Sequence, residues 1–170
     1  VRDTGSKTTT VPPAAAAAAA ASQTNLEALS TSTRRPLYWA GPKADVAYEL
    51  SQAADGRTWV RYLPKSESPG SATPFLTIGT YPVRDAFAAT TRVSTQAGSV
   101  VVPTKAGIAF YNSARPTNVY LAFPNTDYQI EVFDPDAAAA KQLVADGGIV
   151  PVQTAQVDYK LPALPGTTTA

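Results

Sequence analysis

The chain has 170 residues, 14 Lys+Arg against 13 Asp+Glu, 44% hydrophobic residues, and no His, Cys or Met. That length suits one domain with a real core, and a formal charge of +1 lacks the electrostatic footprint of a nucleic-acid binder. Without His and Cys the chain has no disulfide framework, no common general base and no common metal-ligand set, so neither a cofactor nor a metal centre is expected. No apolar run reaches the roughly 18 residues that a membrane span needs.

Residues 1–33 read as a low-complexity Ala/Thr/Pro tether. Thr8, Thr9, Thr10, Pro12 and Pro13 lead into eight consecutive alanines at 14–21. Alanine favours helix, and 25–30 can extend one with Leu26 and Leu29 on one side, but an isolated helix of about 12–15 residues is marginal in water. The expectation is a spacer, with a helix docked through Leu26 and Leu29 as the alternative.

Residues 34–153 are expected to form one domain, which carries nine basic and ten acidic residues over 36–152. Pro36-Leu37-Tyr38-Trp39-Ala40-Gly41-Pro42 suits an edge or first strand. The runs 47–53 and 57–63 flank Ala54-Asp55-Gly56 as a hairpin, with Trp59, Arg61 and Leu63 on one face and Val60 and Tyr62 on the other. A loop rich in Ser and Pro follows at 64–74, then a strand at 75–79. Pro82 suits the first turn of a helix whose Val83, Ala86, Phe87, Thr90 and Val93 recur at helical spacing. Runs at 99–102, 107–112, 119–123 and 128–133, joined by short loops, predict a four-stranded antiparallel meander.

The stretch 118–152 has the best-agreeing local signals. Turn formers at 124–127 separate two strands, Asp134 stands where an N-cap belongs, and Pro135 takes the first helical position. Good helix formers fill 137–146, and Gly147 stands where a left-handed residue ends a helix. This strand–helix–strand unit and the one around Pro82 raise the question of two duplicated halves. After Val152 the chain turns to Thr, Pro, Ala and Gly, so 154–170 reads as a tail.

Catalytic patterns are few. Asp127, Glu131, Asp134 and Asp136 fit no calcium loop and read as caps and solvated positions. No Gly-x-Ser-x-Gly elbow occurs, and a Ser–Lys pair, Ser66 with Lys65 or Thr104 with Lys105, is the residual nucleophilic option. A glycosidase needs two carboxylates at a set separation, for which Asp127 with Glu131 or Glu49 with Asp55 are the pairs on offer. Tyr and Trp in or beside strands are the remaining signal, since such residues stack on sugars or bury a partner's side chains. Alternation puts Tyr120, Gln129 and Glu131 on one face, and with Trp59 and Arg61 these form the candidate binding set.

Pro36-Leu37-Tyr38-Trp39-Ala40-Gly41, and 119–152 with its core Tyr128-Gln129-Ile130-Glu131-Val132-Phe133-Asp134-Pro135, together resemble uncharacterised membrane-anchored cell-envelope domains of high-GC actinobacteria. In those proteins an anchor and an Ala/Thr/Pro spacer precede one small domain. The resemblance implies an extracytoplasmic setting tethered to the cell membrane through an anchor upstream of Val1, and it carries no catalytic residues.

The expected fold is α+β: a mainly antiparallel sheet of about six to eight strands with two helices packed on one face. The expected function is a non-enzymatic extracytoplasmic domain that binds or organises a cell-envelope partner, either protein or cell-wall polysaccharide. The alternatives are a carboxylate-based hydrolase of cell-envelope carbohydrate and a structural spacer. Two carboxyls sharing one cleft would favour the hydrolase.

Overall fold

In chain order the elements are β1 (Ala19–Ala21), α1 (Gln23–Thr33), β2 (Tyr38–Trp39), β3 (Val46–Gln52), β4 (Thr58–Pro64), β5 (Thr77–Pro82), α2 (Ala86–Ser94), β6 (Ser99–Val101), β7 (Ile108–Asn112), β8 (Arg115–Ala122), β9 (Tyr128–Phe133), α3 (Ala137–Ala145) and β10 (Val150–Pro151). They come from a computed structural model that describes residues 18–152. Eight strands make one sheet in the order β1-β3-β4-β5-β9-β8-β7-β6, while β2 and β10 form a separate pair. Every pairing is antiparallel. The α+β architecture with a mainly antiparallel sheet is the expected one, and the predicted meander is the β6–β9 half. Among the described residues no helix is long and apolar enough to cross a membrane.

Short-range chemistry builds the hairpins. Gly56 turns the β3–β4 loop at φ +88°, a left-handed conformation that glycine adopts without a Cβ penalty. Its N–H donates to the Ala53 carbonyl, and Ala53 donates to Arg57, closing the loop. Residue alternation then divides the sheet into two unlike faces. Val60, Ile78, Val132 and Val119 are cross-strand partners in one row, and with Ile130 and Leu121 they form the buried centre. The opposite row is Trp59, Gly79, Glu131, Tyr120 and Phe110. We call these the core face and the polar face.

Three elements cover the core face. The α3 helix packs through Ala140 and Val144, both fully buried, and the small Ala140 lets the helix sit close. The β2–β10 pair adds Leu37, Tyr38 and Trp39: Tyr38 stacks on Phe123, and Trp39 meets Tyr48 edge-on. The Tyr62 hydroxyl fixes this pair by donating to the Gly41 carbonyl and accepting from the Ala40 N–H, at 2.9 and 2.7 Å. β2 is therefore not an edge of the main sheet, as its position in the sequence suggested.

The third element corrects the expected tether. Ser22 caps α1 with a reciprocal Ser22–Asn25 capping box, and Leu26 is 0% exposed within the core. β1 extends the sheet by pairing with β3. Tertiary packing, not propensity, holds this segment, so the fold begins well before residue 34. Residues 1–17 and the predicted tail lie outside the described residues. Leu26→Ala is expected to cost about 2–3 kcal/mol, towards the low end for a buried leucine because α1 packs over one end of the sheet. Urea unfolding measures this, and unchanged stability would mean that α1 is not docked.

Helix placement differs from the sequence reading. α2 lies on the polar face, where Thr90 Oγ1 accepts a 2.8 Å bond from Gln129 Nε2, whereas α3 and α1 lie on the core face. The two predicted helices are thus on opposite faces. The chain leaving β5 has to reach the far edge at β6, and α3 already occupies the core side of β8 and β9. The strand order β3-β4-β5-β9-β8-β7 is palindromic about the β5/β9 seam. The helices break that symmetry, which counts against two duplicated halves.

Details at the helix starts also differ. Pro82 ends β5, and α2 starts at Ala86 after Asp85, a left-handed residue with φ +50°. α2 buries Ala86, Thr90 and Ser94, leaving Phe87 and Val93 more than a third exposed. A small, polar helix stripe fits there because Phe110 and Tyr120 already fill the space above the sheet. α3 is capped by Asp136, which accepts from the Ala138 and Ala139 N–H groups, while Asp134 accepts from the Asp136 N–H. Gly147 ends this helix with φ +71°, as expected.

Candidate functional site

The polar face is covered at both ends and open between them. α2 lies over part of the β6–β9 half. On the other side the loop of residues 65–76 is strapped down by Glu49 and Arg61, cross-strand partners on β3 and β4. Glu49 is 5% exposed. It ion-pairs with Arg61 Nη1 at 3.2 Å and accepts the Gly70 N–H at 2.7 Å. Arg61 Nη2 donates to the carbonyls of Ser71 and Thr73, and its guanidinium lies over the Phe75 ring.

Glu131, half-buried on β9, is the centre of the open part. Its Oε1 accepts from Asn118 Nδ2 at 2.7 Å and from the Tyr120 hydroxyl at 3.1 Å. Its Oε2 accepts from the Tyr81 hydroxyl, which in turn accepts a 2.9 Å bond from Trp59 Nε1. Trp59 and Tyr81 meet edge-to-face with ring centroids 5.8 Å apart. Gly79 makes this arrangement fit: a Cβ built there would come within 2.6 Å of the Tyr81 hydroxyl. A glycine in a central strand, unfavourable by itself, here lets a ring lie flat across the strand.

Tyr120 links this network to a groove of about 580 Å³. Its ring stacks on Phe110 with centroids 5.4 Å apart. Val93 of α2, Asn112, Ala114, Arg115 and Gln129 complete its lining. The groove is thus ring-lined and apolar in the middle, with amide groups and one guanidinium around it.

All five candidate residues lie on this face. Tyr120, Gln129 and Glu131 come together directly, and Trp59 joins them through Tyr81. Arg61 is held in the strap, with its side chain 16% exposed. Sequence reading missed Tyr81, Asn118, Gly79, Phe110 and Arg115. Pairing of Tyr81 with Gln129 across the seam was the signal needed, and it depends on a register between strands 50 residues apart.

The carboxylate and hydroxyl–lysine pairs read from the sequence have partners of their own. Asp127 accepts from the Asp85 N–H and Asp136 caps α3, away from Glu131. The other carboxylate on the polar face, Glu49, is bound in the strap. Lys65 pairs with Asp45 at 2.9 Å, and the Thr104 hydroxyl donates to the Ala106 carbonyl.

Burial pushes the Tyr120 hydroxyl from its ordinary 10.0 up to about 12, reinforced by the charge and hydrogen bond of Glu131 and opposed by Arg115. Tyr81 is raised further, by burial first and then by its bond to Glu131. Both hydroxyls hold their protons more tightly in the folded state than in the unfolded one. Their contribution to stability is therefore fully present below pH about 10 and is lost as pH rises, through about 12 for Tyr120. Phenolate absorbance followed against pH should show a late-titrating class that shrinks in Tyr81→Phe and Tyr120→Phe. A single titration at the ordinary value for all tyrosines would refute the network.

Comparison with protein-family models, curated proteins and solved structures finds no match to this chain.

Proposed function

We propose that the chain is a non-enzymatic, extracytoplasmic binding domain that takes a cell-envelope polysaccharide on its polar face. The observation carrying this reading is the open band from Trp59 to the groove, where Trp59, Tyr81 and Tyr120 present rings beside Asn118, Gln129 and Glu131, with Phe110 buried against Tyr120 as its support. Sugar rings have one apolar face and a rim of hydroxyls, so they suit rings flanked by amides and a carboxylate. The groove volume of about 580 Å³ lies within the usual range of about 300–1,000 Å³ for ligand sites. A hydrolase would need a second carboxyl about 5–9.5 Å from Glu131. The commitment of Glu49 and Asp127 elsewhere favours binding over hydrolysis. The Ala/Thr/Pro-rich ends support a tethered position outside the cytoplasm.

Titration of the full chain with soluble cell-wall polysaccharide fragments tests the proposal. Tyr120→Ala is expected to weaken binding about tenfold, equivalent to 1.4 kcal/mol. Val150→Lys, at an exposed position of the β2–β10 pair over the opposite face of the sheet, is expected to leave binding unchanged. If a fragment binds equally well to Tyr120→Ala and is lost in Val150→Lys, the proposed face is wrong.

A further inference from the structure

The groove is unequal in charge along its length. Arg115 is the single charged residue lining it. Among the described residues the ion pairs are Arg57 with Asp55, Arg61 with Glu49 and Lys65 with Asp45, so Arg115 is in none of them. It stands at the tight β7–β8 turn, paired in register with Asn112 where the ladder is irregular. That irregularity places Arg115 beside the groove mouth. Its charge reaches the Tyr120 hydroxyl, whose pKa it lowers against the other influences. Glu131 lies on the other side of that hydroxyl, bound to it at 3.1 Å.

We propose that the groove selects an acidic sugar, a uronic acid residue within a polysaccharide, by pairing the sugar's carboxylate with the Arg115 guanidinium while the ring lies against Tyr120. The inference rests on the carbohydrate reading above and names the class of sugar. A planar fork of N–H donors matches a carboxylate in a two-bond pair. One guanidinium balances one negative charge, and Glu131, bound to the Tyr120 hydroxyl, disfavours a second, so a monoanion fits better than a phosphate monoester dianion, and the planar carboxylate is the monoanion that matches the guanidinium fork. Asn112 and Gln129, which line the same groove, supply amides for ring hydroxyls.

The test uses calorimetric titration of the full chain with short oligomers of galacturonate, glucuronate and mannuronate, each beside its methyl ester. Esterification removes the charge and keeps the sugar. At least one free acid should bind about tenfold more tightly than its ester. Arg115→Gln should reduce the acid to the level of the ester and leave the ester unchanged, and Arg115→Lys should fall between. If acid and ester bind equally and both weaken in Tyr120→Ala, acid selection is overturned and the carbohydrate reading stands. Full binding of the acid by Arg115→Gln overturns selection as well. If no acid or ester binds while cell-wall fragments do, the selection fails and the carbohydrate reading stands; if the fragments also fail to bind, both are overturned.

Discussion

Arg61→Ala is expected to destabilise the protein by about 3–5 kcal/mol, far more than an exposed ion pair would explain. The reason is what it leaves behind. Glu49 is 5% exposed and would stay in place with its charge uncompensated, holding only the Gly70 N–H. The carbonyls of Ser71 and Thr73 would lose their donor as well. Removing both charges should cost much less, because a buried pair replaced by apolar side chains is often near neutral. The double variant Glu49→Leu/Arg61→Met should therefore be more stable than Arg61→Ala alone. Urea unfolding of the single and double variants measures this difference. Trypsin cleavage after Lys65, in the strapped loop, should accelerate in Arg61→Ala. If single and double variants lose the same stability, the pair does not behave as a buried unit.

Ile130→Ala should cost about 3–5 kcal/mol and lower the melting temperature on the order of 10 °C. Ile130 is 0% exposed, on a central strand, between Thr80 of β5 and Leu121 of β8. Neighbours on both sides are held by the ladder, so the cavity cannot collapse and the lost contacts are not recovered. Glu131, the next residue, faces the other way, so groove binding should survive wherever the variant remains folded. A loss of binding in proportion to stability is the expected pattern only near the melting transition. A change below about 1 kcal/mol would place Ile130 outside the core.

Local chemistry was legible in the sequence. The Ala54-Asp55-Gly56 turn, the 128–133 strand and the Gly147 helix stop all depend on residues within a few positions of one another. The same applies to the face alternation of Trp59 and Arg61 against Val60 and Tyr62. The opposing face of Tyr120, Gln129 and Glu131 was legible for that reason too, since a period of two needs no partner. These features gave the α+β class and the membership of each sheet face.

What depended on distant partners was decided by tertiary structure. The seam between β5 and β9 joins residues about 50 positions apart, and only that register brings Tyr81 and Trp59 to Glu131. α1 has poor credentials as an isolated helix and forms because Leu26 finds a core. α2 takes the polar face because α3 holds the other one, a competition for space that periodicity does not encode. Local chemistry pointed to Asp134 as the cap with Pro135 as the first helical residue, whereas backbone geometry assigned the cap to Asp136 and the helix start to Ala137. The sequence alone determined the strands, turns and their faces, because local sterics and solvent preference act residue by residue. Assembly decided the site, because a carboxylate on β9 held by three donors from the two strands beside it exists only after the strands have paired.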